Sequence, residues 1–212
     1  MHNTIFITGT DTDVGKTAVS AWACQAWDAD YWKPVQAGLE PTTDTETVMR
    51  LGGLSRSRVH PSTYELTAPM SPHAAAAIDG VTIALDDFER PQTNRPLVVE
   101  GAGGALVPLN DRDLMVDLVK HLDIPVIVVA RSGLGTINHT LLTLEALRTR
   151  HVPIAGVVTV GEPHASNRAA LEHFGRVAVI AEIPKVERVT PEAVANFPRP
   201  PLFDHVLART RL

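Results

Sequence analysis

Five short runs in this chain are apolar at nearly every position: Thr4-Ile5-Phe6-Ile7-Thr8, Pro96-Leu97-Val98-Val99-Glu100, Val126-Ile127-Val128-Val129, Ile154-Ala155-Gly156-Val157-Val158 and Val177-Ala178-Val179-Ile180. A strand with one face in water alternates apolar and polar residues, whereas a strand without that alternation is covered on both faces, as in a parallel sheet packed between helices. Helix-length patterns over residues 15–27, 43–51, 114–122, 137–150 and 166–174 separate the runs. The order predicts an α/β fold, a single-domain, doubly wound, mostly parallel sheet. A chain of 212 residues with 44% hydrophobic content can bury one sizeable core, and residues 1–212 are read as one domain without repeat or linker. Residues 61–80, rich in Pro, Ser and Ala, read as a loop with a short helix, and residues 191–201 as irregular chain. In such sheets ligands bind beyond the carboxyl ends of the strands, so chemistry is sought just after each run.

The first run ends in Gly9-Thr10-Asp11-Thr12-Asp13-Val14-Gly15-Lys16-Thr17, followed by a helical stretch. Strand, loop and helix stand in the order of a phosphate-binding loop, which makes the fold P-loop NTPase-like. Glycine lets backbone N–H groups approach phosphate oxygens, Lys16 reaches the β- and γ-phosphates, and the Thr17 hydroxyl can ligate magnesium. The helix N-terminus adds partial positive charge. The spacing from Gly9 to Gly15 is one residue longer than in the common form of the motif.

Other strand ends add candidates of unequal strength. The run Tyr31-Trp32-Lys33-Pro34-Val35-Gln36-Ala37-Gly38 reads as a second strand that delivers Lys33 near the phosphate loop. Lys33 is then either a solvated lysine or a positive charge for a phosphoryl acceptor. Asp44 opens a helical pattern, as a capping or first-turn carboxylate or as a magnesium ligand. Glu100 is a carboxylate at a strand tip followed by Gly101-Ala102-Gly103-Gly104, the position of the acid that holds magnesium in phosphate-loop proteins. The Gly-rich turn Gly133-Leu134-Gly135-Thr136-Ile137-Asn138-His139 opens a long helix and could receive a carboxylate. Ser71-Pro72-His73 reads as a helix start, with Ser71 capping.

Charge and composition exclude several classes. A net charge of −5 without a dense Lys/Arg cluster removes the footprint of a nucleic-acid or anionic-lipid binder. No apolar run approaches the roughly 20 residues needed to span a bilayer. The opening Met1-His2-Asn3 lacks the basic flank and long apolar stretch of a secretion signal, and the one cysteine, Cys24, lies in an apolar helical pattern. The expected compartment is the cytoplasm.

Together, the phosphate loop from Thr8 to Thr17, Lys33-Pro34-Val35-Gln36-Ala37-Gly38, Met70-Ser71-Pro72-His73, Val99-Glu100-Gly101-Ala102-Gly103-Gly104 and Gly135-Thr136-Ile137-Asn138-His139 resemble the dethiobiotin synthetase family over residues 4–185. The longer phosphate loop is itself a trait of that family. The resemblance implies an ATP-dependent cyclo-ligase of biotin synthesis that carboxylates 7,8-diaminopelargonate (7,8-diaminononanoate) with carbon dioxide. It closes the ureido ring and releases ADP and phosphate. Family matching implies catalytic roles for Lys33, Lys16 and Thr12, and magnesium on Thr17, Asp44 and Glu100. It assigns the nucleotide to Asp13, Val14, Gly15, Lys16, Thr17, Asp44, Glu100, Gly101, Ala102, Gly103, Ile183, Pro184 and Lys185. The substrate falls to Thr12, Lys33, Ala37, Met70, Ser71, Gly135, Thr136, Ile137 and Asn138. Because the turn at residues 135–138 serves the neighbouring subunit in that family, a homodimer is implied.

Three positions depart from the family pattern. Asp13 replaces a frequent glutamate, Ala37 replaces a substrate-binding hydroxyl residue, and Val160-Gly161 stand where an Asn-Asp pair often reads adenine, which leaves the preferred triphosphate open. The competing function is a phosphate-loop ATPase switch of the partitioning and septum-positioning type. Those proteins usually carry a second lysine early in the loop, where this chain has Thr10, Asp11 and Thr12.

Overall fold

In the computed structural model, which describes residues 3–209, each of the five apolar runs contributes a strand: β1 (Thr4–Gly9), β6 (Leu97–Gly104), β7 (Val126–Arg131), β8 (Ile154–Val160) and β9 (Val179–Ile183). Shorter strands are β2 (Asp30–Trp32), β3 (Val35–Ala37), β4 (Val59–His60) and β5 (Tyr64–Leu66). Met1, His2 and residues 210–212, parts of the sequence reading, lie outside the described residues. Among those described, seven strands form one sheet in the order β4-β2-β6-β1-β7-β8-β9, every pair parallel.

The helices are α1 (Lys16–Trp27), α2 (Asp44–Gly52), α3 (Pro72–Asp79), α4 (Met115–Leu122), α5 (Thr136–Thr149), α6 (Ala165–Gly175), α7 (Pro191–Ala195) and α8 (Pro201–Arg209). They cover both faces of the sheet. On β1, Ile5 and Ile7 pack with Val19 and Trp22 of α1 and Val48 of α2, while Phe6 points the other way to Met115 of α4 and Leu144 of α5. Successive strand side chains face opposite sides, so a run apolar at every position feeds two cores.

The expected second strand over residues 31–38 is instead two strands in two sheets. β2 ends at Trp32, and after Lys33-Pro34 the chain enters β3, which pairs in parallel with β5 as a separate two-stranded sheet. Pro34 has no N–H to continue the ladder, and its carbonyl instead accepts from the backbone N–H groups of Thr63 and Tyr64 at 2.9 and 3.1 Å. The segment over residues 61–80 thus carries β5 as well as the expected short helix, α3. Ser71 precedes α3 with Pro72 at its start, but the Ser71 side chain makes no capping hydrogen bond.

Residues 191–201 also differ from expectation. Pro191 sits at the first position of α7 and Thr190 caps it, accepting from Ala193 N–H at 3.2 Å, so this proline starts a helix and does not interrupt one. In α8, Phe203 is fully buried and stacks on Trp22 and Trp27 of α1 with ring centroids 3.8 and 4.2 Å apart. Cys24 of the same helix is a buried free thiol, in keeping with a packing role. Phe203→Ala should cost about 3–5 kcal/mol, the range for truncating a buried aromatic, as measured by urea unfolding. A loss below about 1 kcal/mol would show that α8 does not fold with the sheet.

Candidate functional site

The phosphate loop leaves β1 at Gly9, between β6 and β7, where Thr10 N–H donates to the Val129 carbonyl at 2.9 Å. The loop turns back so tightly that a Cβ at Gly9 would lie 2.7 Å from the Asp11 carbonyl oxygen and from Val14 Cγ2. Asp13 and Gly15 take left-handed backbone angles, φ 55° and 102°, and Gly15 enters α1 without a side-chain cap. The first N–H groups of α1 therefore meet no capping side chain, which suits them to an anion. Lys16 is buried and its Nζ donates to the Asp11 carbonyl at 2.9 Å, drawing the loop around the amine. Burial lowers the Lys16 pKa, against the opposing pull of Glu100.

Next to Lys16 lies a cluster of Thr17, Lys33, Asp44 and Glu100, gathered from α1, the turn after β2, α2 and β6. The Thr17 hydroxyl is 3.0 Å from both Asp44 Oδ1 and Glu100 Oε1. A hydroxyl has one proton to donate, so Thr17 can serve only one of the two carboxylates at a time. Lys33 Nζ reaches Asp44 Oδ2 at 2.8 Å, Glu100 Oε1 at 3.3 Å and the Gly101 carbonyl at 3.4 Å. Burial alone would lower the Lys33 pKa, but Glu100 and Asp44 outweigh it and hold the ammonium above its ordinary value. The converse holds at Asp44, where burial pushes the carboxyl up and Lys33 pulls it below the usual range.

The surroundings explain how each group is held. Asp44 is free of capping duty because Thr43 and Glu46 form the capping box of α2: Thr43 Oγ1 accepts from Glu46 N–H at 3.1 Å and Glu46 Oε2 from Thr43 N–H at 2.8 Å. Gln36 fixes the start of α2, its Oε1 accepting from Asp44 N–H at 3.2 Å while its Nε2 donates to the Gly38 carbonyl at 3.0 Å. Glu100 is not at the tip of β6, as the sequence suggested; the strand continues to Gly104, beside Gly9 of β1. A Cβ at Gly101 would meet Phe6 Cε1 at 2.8 Å, so glycine lets the strand pass. Tyr31, on buried β2, donates its hydroxyl to Glu100 Oε2 at 3.0 Å. Sequence reading missed Tyr31 and Gln36 because their partners lie on other elements; for Gln36 the one signal was a polar side chain between the apolar Val35 and Ala37.

These groups open on a cleft of about 410 Å³ lined by Thr12, Asp13, Lys16, Thr17, Lys33, Ala37, Asp44, Met70, Ser71, Ala102 and Gly103, with Pro69, Pro72 and Val107 completing an apolar wall. Of the expected nucleotide residues, Val14, Gly15, Glu100 and Gly101 do not line the cleft. The Gly135-Thr136-Ile137-Asn138 turn does not line it; α5 contributes instead to a second cavity, of about 510 Å³, where His139 and Leu142 face Thr10, Asp11 and Thr12. Ile183, Pro184 and Lys185 also lie outside the cleft, at the end of β9, where Gly161 N–H donates to the Ile183 carbonyl at 2.9 Å. Arg131, unassigned from sequence, reaches the phosphate loop from the end of β7, donating to the Thr12 carbonyl at 3.1 Å and to Asp11 at 3.4 Å.

The described residues hold no group of three or more His, Cys, Asp or Glu able to bind a metal. Thr17, Asp44 and Glu100 form another kind of set, two carboxylates and a hydroxyl. Hard oxygen donors few in number suit magnesium, which keeps much of its shell for water and phosphate. Their oxygens converge within hydrogen-bond distance, and the Lys33 ammonium on Asp44 and Glu100 shows that the set attracts positive charge.

Residues 3–193 match a protein family described as an AAA domain. The ATP-dependent dethiobiotin synthetase of Paramagnetospirillum magneticum is 56% identical over 94% of this chain and 96% of its own. That of Brucella ovis is 48% identical over 91% of both. The biotin biosynthesis bifunctional protein of Bordetella avium is 52% identical over 90% of this chain but only 41% of its own length. Among solved structures, the MinC:MinD cell division complex of Aquifex aeolicus superposes with a TM-score of 0.58 at 12% identity, covering 98% of this chain and 95% of the other. A ParA family ATPase from Chlorobium tepidum gives 0.53 at 11%, covering 97% and 98%. These two share the fold.

The cluster makes stability depend on pH at both extremes. The lowered Asp44 pKa contributes stability present above about pH 4 and lost as pH falls through the lowered value. The raised Lys33 pKa contributes stability present below about pH 10 and lost as pH rises through the raised value. In urea titrations, the stability gap between the native chain and Asp44→Asn should therefore narrow as pH drops below about 4. A gap independent of pH would show that Asp44 is not held ionised by Lys33.

Proposed function

The chain belongs to the dethiobiotin synthetase family, its residues 3–193 to the AAA-domain family, and on that premise we propose that it carboxylates 7,8-diaminononanoate with carbon dioxide and closes the ureido ring at the expense of ATP. The observation that carries this reading is the cleft where Lys16, Lys33, Thr17 and Asp44 meet beside an apolar wall containing Met70 and Val107. Charge serves the transfer, and the wall suits the hydrocarbon chain of the diamine.

One substrate amine bonds to the carbon of carbon dioxide and loses a proton, giving a carbamate. A carbamate oxygen then bonds to the γ-phosphorus while the bond from that phosphorus to the ADP oxygen breaks. The second amine attacks the carbonyl carbon of the resulting mixed anhydride, phosphate leaves, and the amine proton is released. Both reactants of the phosphoryl step are anions, so cations must hold them in line and offset the charge that builds up. Lys16 holds the terminal phosphates, with the backbone N–H groups of Asp13, Val14, Gly15 and Thr17. Lys33 and Thr12 face the carbamate. Thr17, Asp44 and Glu100 would hold magnesium, which would supply positive charge to offset that of the triphosphate. The substrate amine is itself the nucleophile, so no nucleophilic side chain is required.

The remaining assignments belong to the same proposal. Residues 101–103 border the phosphates, and Ile183, Pro184 and Lys185 border the base. Ala37, Met70 and Ser71 contact the substrate, and residues 135–138 receive its carboxylate from the neighbouring subunit. Their position outside the cleft of their own chain supports a homodimer, as do the exposed Leu106, Leu134 and Leu142. Residues 1–212 are taken as one domain, since a single sheet carries both hydrophobic clusters. No helix among the described residues is long and apolar enough to cross a membrane, and the cytoplasm is proposed as the compartment of this biosynthetic enzyme. The partitioning-ATPase reading draws on fold alone, at 11–12% identity.

Protein incubated with diaminononanoate, bicarbonate, magnesium and ATP should yield dethiobiotin and ADP; ATP hydrolysis indifferent to the diamine would overturn the reading. Lys33→Ala should lower kcat by about 100- to 1,000-fold, as loss of one charge-stabilising donor does, while most nucleotide affinity remains. Equal losses of both would contradict its carbamate-side role. Sedimentation equilibrium should give a dimer, and Leu142→Asp should split it and impair diamine use more than nucleotide binding.

A further inference from the structure

The two oxygens of Glu100 have separate partners. Oε1 faces the site, 3.0 Å from the Thr17 hydroxyl and 3.3 Å from Lys33 Nζ. Oε2 faces away and accepts the Tyr31 hydroxyl at 3.0 Å. Tyr31 is fully buried on β2, a strand that pairs directly with β6, where it sits opposite Val98. Packing alone would be met by phenylalanine, because the ring belongs to the apolar cluster with Trp22, Val48 and Leu51. The phenolic oxygen earns its place in that cluster only through Glu100.

This division of oxygens limits how the carboxylate can meet a cation. A carboxylate with one oxygen committed to a buried donor offers the other alone. Magnesium requires near-octahedral geometry at short distances and takes carboxylates through one oxygen, whereas calcium is larger and readily takes both oxygens of one carboxylate. We propose that the Tyr31 hydroxyl is a positioning group that confines Glu100 to one-oxygen coordination and so makes the site select magnesium over calcium. The inference rests on the reading of Glu100 as a magnesium ligand. Tyr31 touches neither substrate nor cation and acts only through Glu100.

The test is Tyr31→Phe, which removes one oxygen and leaves the ring. ADP binding is measured calorimetrically without divalent cation, with magnesium and with calcium. The native chain should gain more ADP affinity from magnesium than from calcium. In Tyr31→Phe that preference should shrink by about 10-fold or more, the usual scale of an outer-sphere change, with metal-free ADP affinity unchanged. If both cations lose affinity by one common factor, or the preference persists, Tyr31 is only structural and the inference fails. Glu100→Gln separates this from failure of the underlying reading: if magnesium still strengthens ADP binding in that variant, Glu100 is not a ligand. Should Tyr31→Phe not fold, infrared spectra of the native chain carrying ¹³C-carboxyl glutamate decide the matter. One-oxygen splitting of the Glu100 stretches is expected with both cations, and a two-oxygen pattern with calcium overturns the proposal.

Discussion

The Lys33 ammonium lies between Asp44 and Glu100, and the three residues arrive on the turn after β2, on α2 and on β6. Two carboxylates within reach of one hydroxyl repel each other, and the lysine offsets that repulsion where water is scarce: its side chain is 3% exposed and that of Glu100 is 0%. The charge set closes only if helix, strand and turn are all in place. The same constraint pins the start of α2 against the sheet and sets the cleft in front of the phosphate loop. Removing one partner of the buried Lys33–Glu100 pair typically costs about 3–5 kcal/mol, whereas Asp44, with its side chain 41% exposed, is screened by water and contributes less.

Much of the sheet was legible because its strands are apolar without alternation, and the helices between them were legible from their length. The break at Lys33-Pro34 was not. The apolar run is continuous through it, and only the missing N–H of Pro34 marks where the ladder stops. Residues 191–201 misled for a related reason: proline ends a helix from within but begins one from its first turn, and Thr190 one place earlier decides between the two.

The site shows a similar division. Lys16 and Thr17 belong to a local motif, so their neighbours are set by a few residues of chain. Asp44 was ambiguous because a first-turn carboxylate has an ordinary explanation; the structure transfers the capping task to Thr43 and Glu46 and leaves Asp44 facing Thr17. Tyr31 and Gln36 were invisible because each acts on a group in another element, and no spacing rule links them. The shared sheet of the MinD and ParA structures shows the limit from the other side, since it fixes where a site can be but not what the strand ends carry.

The departure of the chain from the large sheet at Pro34 divides the cleft between two supports. The phosphate loop, Lys16 and Glu100 stand on the seven-stranded sheet and the helix it launches, while Ala37 and the segment through Pro69, Met70 and Ser71 follow from the small β3-β5 pair. On the proposed reading, the residues that grip the triphosphate are carried apart from much of the wall that meets its acceptor, with Gln36 of β3 joining the two supports through the Asp44 N–H. On the same reading, substitutions at Pro69, Met70 and Ser71 would reshape the acceptor side of the cleft, whereas Gln36 on the same small pair cannot change without loosening the start of α2. On that reading, acceptor choice and phosphoryl chemistry can drift at different rates wherever a residue serves one support alone.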